Sequence, residues 1–417
     1  MAPSMSFARL PAVAALALAP LLPQAARAEP VRIAAILPLT GATSAVGDMY
    51  RSALAYAESE INEAGGLRGE KVQIRSYDDT GTTPGAADRV RQALAEGMRI
   101  FVQGGYSSVA AGISNDIRRW NERNPNDRAV VLLMGAEAAD ITGKDCHFYA
   151  FRTTSTAAIR IRALTAAMKE AGVLGSRVAT INQDYSWGRE VEEAVEKNAE
   201  GNGYKVVRKI LHEVGRIQDF SPYVERLRES QAETVITGSS ARDLLLLMQS
   251  VSSAGLKTRL GTTFLDNPGT LASAGQAAEG GYLAGLFNPE AGGEKAEAYR
   301  AVYNKVTGTM PVSTANNGVI ALRLLAAAIR AIPSDQKLDA TGIALSLENV
   351  TADWVHGPLR IRAADHQLLV PVVVSVVSTD ARVKEDGTQM GFKPIAVLPP
   401  EQAIGPADAA CRMRRPQ

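Results

Sequence analysis

The sequence predicts an α/β protein of two doubly wound domains, each a mostly parallel sheet with helices on both faces. Three observations predict it. Pro30 to Gly81 forms a complete β-loop-α-loop-β unit, the same alternation recurs along the chain, and 417 residues suffice for two cores. Parallel strands joined through a helix need cover on both faces, and such sheets bind ligands beyond the carboxyl ends of their strands.

Residues 1–28 read as a secretory signal peptide and are set aside before fold reasoning. Arg9 stands in a short basic start, Leu10 to Leu22 is largely apolar, and Ala26-Arg27-Ala28 is a small-x-small cleavage site. Pro11, Pro20 and Pro23, with the shortness of the run, argue against the alternative of a membrane anchor.

Val31 to Leu37 is a short apolar, β-branched run and reads as a buried strand. From Met49 the apolar positions Met49, Ala53, Ala57 and Ile61 recur at helical spacing until Gly65 and Gly66 stop the helix. Val72 to Tyr77 is the second strand and ends in Asp78 and Asp79, a pair read as a solvated turn or helix cap rather than an acid–base dyad. Ile100 to Gly104 is a strand leading into Gly105-Tyr106-Ser107-Ser108, and Val109 to Arg123 a helix. Val130 to Met134 is a strand ending in Gly135-Ala136-Glu137, and a helix follows Thr153 as far as about Gly172. The next strand, Val178 to Ile181, runs into the loop Asn182 to Gly188, with a helix from Arg189. Lys205 to Leu211 is a strand, Tyr223 to Ser230 begins a helix, and Thr234 to Gly238 is a strand into Ser239-Ser240. An apolar helix to about Ala254, a strand ending at Thr262-Thr263, a long helix from Thr314 to Ala331 and a β-rich stretch from Leu359 to Ser378 complete the pattern. Leu368 to Val377, valine-rich and interrupted by Pro371, suits a buried strand better than a membrane span.

Charge is balanced, 45 basic residues against 44 acidic, with no basic stripe for nucleic acid and no acidic tail. The two cysteines, Cys146 and Cys411, fit one disulfide in an exported protein. Such a bond would fasten the aperiodic tail 400–417 to the middle of the chain; two unpaired thiols are the alternative. There is no G-x-S-x-G elbow, phosphate-binding loop or dinucleotide fingerprint. The histidines, His147, His212, His356 and His366, lack metal-ligand spacing, so neither a metal nor a cofactor is expected.

The loops after strands carry the chemistry. Ser107 and Ser108 precede a helix and offer hydroxyls and free N–H groups at its positive end, suited to a carboxylate; ordinary N-capping explains them equally well. Tyr185 and Trp187, two apart beside Gly188, either turn toward a cleft or pack as isolated aromatics. Phe264 and Asp266 after a later strand raise the same question.

At these residues the chain resembles a known family. ILPLTGATSAVGDMYRSALAYAESEINEAGGLRGEKVQIRSYDDTG, QGGYSSVAAGISNDI, QDYSWG and HGPLRIRAADHQ are similar to segments of periplasmic leucine/isoleucine/valine-type solute-binding proteins of ABC importers, across nearly the whole mature chain. The resemblance implies a type I periplasmic-binding fold, with two lobes, a three-segment hinge, a ligand between the lobes, and closure that presents both to a permease. Ser108 matches the serine that binds a ligand carboxylate, Gly135 a backbone contact, and Trp187 an aromatic wall with Tyr185 in the same loop. Glu137 stands where amino-acid binders have a threonine, and Ser239 and Ser240 where they carry aromatics. Phe264 falls near the family's ammonium-binding acid, leaving Glu137 and Asp266 as carboxylates available in its place. A buried ammonium needs an anionic partner, so the ligand class stays as wide as amino acid, amide or aromatic acid.

The expected lobes are 31–152 plus 284–353, and 153–283 plus 354–399. The expected cleft residues are Ser107, Ser108, Gly135, Ala136, Glu137, Tyr185, Trp187, Ser239, Phe264 and Asp266. The functional expectation is a monomeric periplasmic protein delivering a small organic ligand to an inner-membrane ABC permease. A sensor serving a membrane receptor is the alternative, and an exported hydrolase is disfavoured by the missing nucleophile motifs.

Overall fold

A computed structural model describes Met1 and residues 30–41 and 43–416; the expected signal peptide lies outside the described residues apart from Met1. The first half of the chain folds as β1 (Val31–Leu37), α1 (Ser44–Glu63), β2 (Val72–Asp78), α2 (Thr83–Ala95), β3 (Ile100–Gln103), α3 (Ser107–Arg123), β4 (Val130–Leu133) and β5 (Ala150–Arg152). These strands make one parallel sheet in the order β2-β1-β3-β4-β5. Central β1 is covered on both faces, which is why its run from Ile33 to Leu37 is apolar without alternation and fully buried. On α1 the buried positions Tyr50, Ala53, Leu54, Ala57 and Ile61 share one face. The helix ends where Gly66, at positive φ, passes so close to the carbonyl of Glu70 that a Cβ would lie 2.0 Å from it.

The same winding recurs in α4 (Ala157–Glu170), β6 (Arg177–Gln183), α5 (Ser186–Lys197), α6 (Ala199–Asn202), β7 (Lys205–His212), α7 (Ser221–Glu229), β8 (Thr234–Thr237), α8 (Ala241–Ser253), β9 (Arg259–Thr262), α9 (Thr270–Ala274) and β10 (Tyr282–Gly285). The chain then forms α10 (Gly293–Thr307), α11 (Ser313–Ala331) and α12 (Ala340–Leu347). It continues through β11 (Ala352–Trp354), β12 (Gly357–Ile361), β13 (Leu368–Leu369), β14 (Val372–Ser378), β15 (Gly391–Leu398) and α13 (Pro400–Ala403). The second sheet runs β15-β14-β10-β9-β8-β6-β7, parallel except for β14 and β15. Its β7-β6-β8-β9-β10 portion repeats the winding of the first sheet.

Helices α10 and α11 pack on α1, and α12 on α11 and β4, so the chain returns to the first sheet after β10. It reaches the second sheet again only at β14, because 352–369 forms a separate three-stranded sheet against α11. The expected boundary at Trp354 therefore falls inside that small sheet, where Trp354 donates to the Leu286 carbonyl at 3.1 Å. The crossings are fastened to one another. The N–H of Arg152 donates to His366 O at 3.0 Å, Gln367 Nε2 to Thr154 O at 2.9 Å, and Asn317 Nδ2 to Thr154 Oγ1 at 2.9 Å.

Cys146 and Cys411 form a disulfide with Cα atoms 5.5 Å apart, bridging 265 positions. Upstream of it α13 packs on α4 of the second sheet, and beyond it Arg415 pairs with Glu348 at 2.6 Å, just after α12. The tail thus spans from the second unit back to the first. No described helix is long and apolar enough to cross a membrane.

Candidate functional site

In each sheet the winding reverses between the first strand and its neighbour, and that reversal opens a crevice at the carboxyl ends. In the first sheet it lies between β1 and β3, beside the loop into Ser107 and Ser108; in the second it lies between β6 and β8, beside Tyr185, Trp187 and Gly238. Close backbone approach shapes both edges. A Cβ on Gly135 would meet Gly105 N and O at 2.4 Å, and one on Gly238 would meet Trp187 Nε1 at 2.9 Å.

Ser107 opens α3 and its Oγ accepts from Glu137 N (3.1 Å) and Ala138 N (3.2 Å). That hydroxyl orients the loop 135–138 rather than capping its own helix. Ser108 is exposed in the first turn. The loop in turn directs Glu137 across to α4, where its carboxylate pairs with Arg160; the side chains are 16% and 3% exposed. Arg160 also donates from Nε to Ser155 Oγ and from Nη1 to the Thr263 carbonyl, both at 2.8 Å, and its guanidinium carbon lies 5.7 Å from the Phe264 ring centre. Burial pushes the Glu137 carboxyl up, while the Arg160 charge and hydrogen bond act against it.

Trp187 is only 8% exposed. Its Nε1 donates to the Gly238 carbonyl at 3.0 Å and its ring lies 5.4 Å from Phe264. It is a packed wall rather than a free cover, whereas Tyr185 is 40% exposed. Burial, reinforced by Glu137, Tyr106 and Glu190, pushes the Tyr185 phenol up.

Glu137, Arg160, Phe264 and Trp187 thus form one contiguous group, with Ser107 holding the loop behind it and Tyr185 in the loop beside Trp187. Ala136 is buried beneath the loop. Ser239 is placed elsewhere: it is buried, with Oγ 3.0 Å from His212 Nε2 inside the second unit. Asp243 Oδ2 lies 4.0 Å from His212 Nδ1, so serine, histidine and aspartate stand in a row. All three are buried, His212 Nδ1 is 3.1 Å from Glu213 O, and Asp243 accepts from Gln183 Nε2 and Gly215 N at 2.7 and 2.8 Å. The row knits β7 to α8 and presents no hydroxyl to a substrate. Asp266 lines a cavity of about 420 Å³ together with residues of α1, α11, β10 and β14. Among the described residues no cluster of His, Cys, Asp and Glu suits a metal ion.

Sequence reading did not reach Arg160, the centre of the arrangement, or the buried polar atoms around it. Thr263 Oγ1 and Asn317 Oδ1 are buried without a hydrogen-bond partner, and Tyr50 donates to Met134 O at 3.2 Å. Two arginines, Arg160 and Arg162, break the largely apolar TAAIRIRALTAAM segment, and only the first of them is buried.

Comparison with known proteins follows the geometry. The periplasmic binding protein family matches residues 30–382. The Leu/Ile/Val-binding protein homolog 4 of Brucella abortus (strain 2308) is 45% identical over 392 residues, covering 94% of each chain. A closed-conformation crystal structure from Brucella ovis, described as a leucine-, isoleucine-, valine-, threonine- and alanine-binding protein, superposes with a TM-score of 0.91 at 45% identity, covering 93% of this chain and all of that one. A solute-binding protein from R. palustris in complex with benzoate superposes at 0.71 with 19% identity, covering 92% of this chain and 100% of the other, and shares the fold.

Proposed function

Because this chain belongs to the periplasmic binding protein family, we propose that it captures a small α-amino acid between its lobes and delivers it as a monomer to an inner-membrane ABC permease. The observation that carries the reading is the buried Glu137–Arg160 pair, which joins a loop of the first sheet to a helix packed on the second. A zwitterion complements such a pair. Its ammonium takes the place of the guanidinium at Glu137, its carboxylate meets Arg160 and the N–H groups at the start of α3 near Ser108, and every buried charge keeps an opposite neighbour. Phe264 and Trp187 wall the body of the ligand, and Tyr185 covers it from the rim.

The lobes in this reading are 31–152 plus 284–353, and 153–283 plus 354–399, hinged at the crossings tied by Thr154 and Gln367. Both halves of the zwitterion are gripped only when the lobes meet, so binding favours closure. The names of the 45%-identical relatives point the same way.

Thermal-shift screening of L-leucine, isoleucine, valine, threonine and alanine beside benzoate and primary amides tests the proposal. A ligand at one hundred times its Kd adds about 2.7 kcal/mol and raises Tm. Stabilisation by amino acids but not by their N-acetyl derivatives or amides is expected. Stabilisation by benzoate alone would reject the zwitterion reading.

A further inference from the structure

The loop that carries Glu137 is gripped at both of its ends by side chains from elsewhere in the chain. At its start the carbonyl of Met134 accepts from Asn317 Nδ2 of α11 at 3.1 Å and from the Tyr50 hydroxyl of α1 at 3.2 Å. At its end the carbonyl of Ala138 accepts from Nη1 of Arg152, the last residue of β5. Between these two grips Ser107 Oγ takes the N–H groups of Glu137 and Ala138.

Arg152 is buried, and its side-chain hydrogen bonds go to neutral acceptors: the Ala138 carbonyl from Nη1, Thr142 Oγ1 from Nη2, and Gln367 Oε1 from Nε at 2.8 Å. Burial pulls its guanidinium down to about 10, while Asp365, Glu190 and Glu137 act against that. The guanidinium is a rigid planar fork, so the acceptor on Nε fixes the direction in which both terminal nitrogens point. Gln367 is that acceptor. It is buried just before the third crossing, and its Nε2 donates to Thr154 O on the first crossing at 2.9 Å and to Leu368 O at 3.0 Å. Turned over, the amide would set its oxygen against two carbonyls and its nitrogen against the guanidinium, so one orientation is enforced. None of these hydrogen bonds of Gln367 reaches a cleft residue.

We propose that Gln367 is a positioning residue for the cleft: by orienting the buried guanidinium of Arg152 it fixes the end of the loop 135–138, and so places the Glu137 carboxylate opposite Arg160. The grip on the loop is thereby built into the crossings, and a rotation there moves the loop with it. The inference rests on the reading above only in taking Glu137 as part of the binding surface.

The test is amide hydrogen exchange on the full protein without ligand, read by mass spectrometry on peptides spanning 134–142, with peptides from β8 as the reference for global opening. Gln367→Met removes the acceptor at nearly constant volume and should speed exchange in 134–142 roughly tenfold while β8 is unchanged. Gln367→Glu keeps an acceptor for Arg152 Nε but gives up the bonds to Thr154 and Leu368, and should return exchange to the rate of the unaltered protein. If Gln367→Met does not fold, Gln367→Asn, which draws the amide back by one methylene, replaces it with the same expectation. Calorimetry with L-leucine adds the binding arm: affinity should fall roughly tenfold in Gln367→Met and be regained in Gln367→Glu. An unaltered protein that does not bind L-leucine would count against the amino-acid reading alone, and the exchange rates then decide the role of Gln367. Loop exchange unchanged in Gln367→Met would overturn the proposal, as would equal acceleration at β8 or an unchanged affinity for L-leucine. Gln367→Glu as loose as Gln367→Met would make Gln367 a tie between crossings only, and would overturn it too.

Discussion

Glu137→Gln should destabilise the protein far more than a surface charge change, because it leaves Arg160 buried without its anion. The guanidinium side chain is 3% exposed and would be left with neutral acceptors alone, the new amide oxygen at 137 and Ser155 Oγ and Thr263 O, the last two at 2.8 Å. Removing one partner of a buried pair costs roughly 3–5 kcal/mol. Here Asp266 also acts on Arg160, and Glu137 keeps some solvent access, so the lower end, about 3 kcal/mol, is expected. Arg160→Met should cost a similar amount by leaving the carboxylate unmatched, and burial would then drive Glu137 to take up a proton. The double variant Glu137→Gln, Arg160→Met removes both charges, and its cost should fall short of the sum by at least about 1 kcal/mol. Urea unfolding of the four proteins at pH 7.5 gives the cycle directly. A double variant that folds well but no longer binds an amino acid would separate stability from recognition. Single losses below about 0.5 kcal/mol, with no coupling, would show that the two side chains are solvated in solution and refute the buried-pair argument.

Trp187→Ala should both weaken amino-acid binding and destabilise the fold by roughly 3 kcal/mol, because the ring is packed between Gly238 and Phe264; Trp187→Phe should keep most of the stability, and calorimetry with urea melts separates the effects. Replacing Cys146 and Cys411 by Ser should lower stability by roughly 2–5 kcal/mol, given the 265-residue separation they close, and a denaturation midpoint unchanged by the substitution would show that the bond contributes nothing. Asp79 is 1% exposed and burial pushes its carboxyl up to about 6, so it favours the fold at acid pH and that contribution is lost as pH rises through about 6. Asp79→Asn, which keeps an acceptor for Gly81 N, should therefore stabilise the protein by up to about 2–3 kcal/mol at pH 8 and by almost nothing at pH 4, read from urea melts at both.

The winding of both sheets was legible because buried parallel strands leave an unbroken apolar run. Val31 to Leu37 marked β1 at both ends. Some elements carry a weaker signal. In α2 the helix signal is Thr82 as N-cap with Pro84 behind it, while Gly85 and a sparse apolar face obscure the period. β15 carries Lys393 and Pro394, residues an edge strand tolerates but which mask it as a strand in sequence. The small sheet of β11, β12 and β13 straddles the expected boundary at Trp354; its strands are short and its partner, α11, lies far back in the chain.

The site was legible in its loops and hidden in its side-chain directions. Strand-end position marks a residue as near the crevice, but one step along the chain decides whether it faces ligand or core: Ser239 turns inward to His212, while Tyr185 stays at the rim. Pairings are hidden still more deeply. Glu137 stands out in the sequence where amino-acid binders have a threonine, but its pairing with Arg160 does not, because nothing in the sequence brings residues from different units face to face. Glu137 and Arg160 compensate each other. A carboxylate at 137 would be an unmatched buried charge without Arg160, and Arg160 would be one without Glu137, so the amino-acid reading proposed above rests on a partnered ion pair rather than on a single acid of the second lobe. An ion pair that a zwitterion can enter without stranding either charge is selective for ligands carrying both signs. A neutral amide or a lone carboxylate leaves one member of the pair unsatisfied, and that asymmetry is what the ligand screen reads.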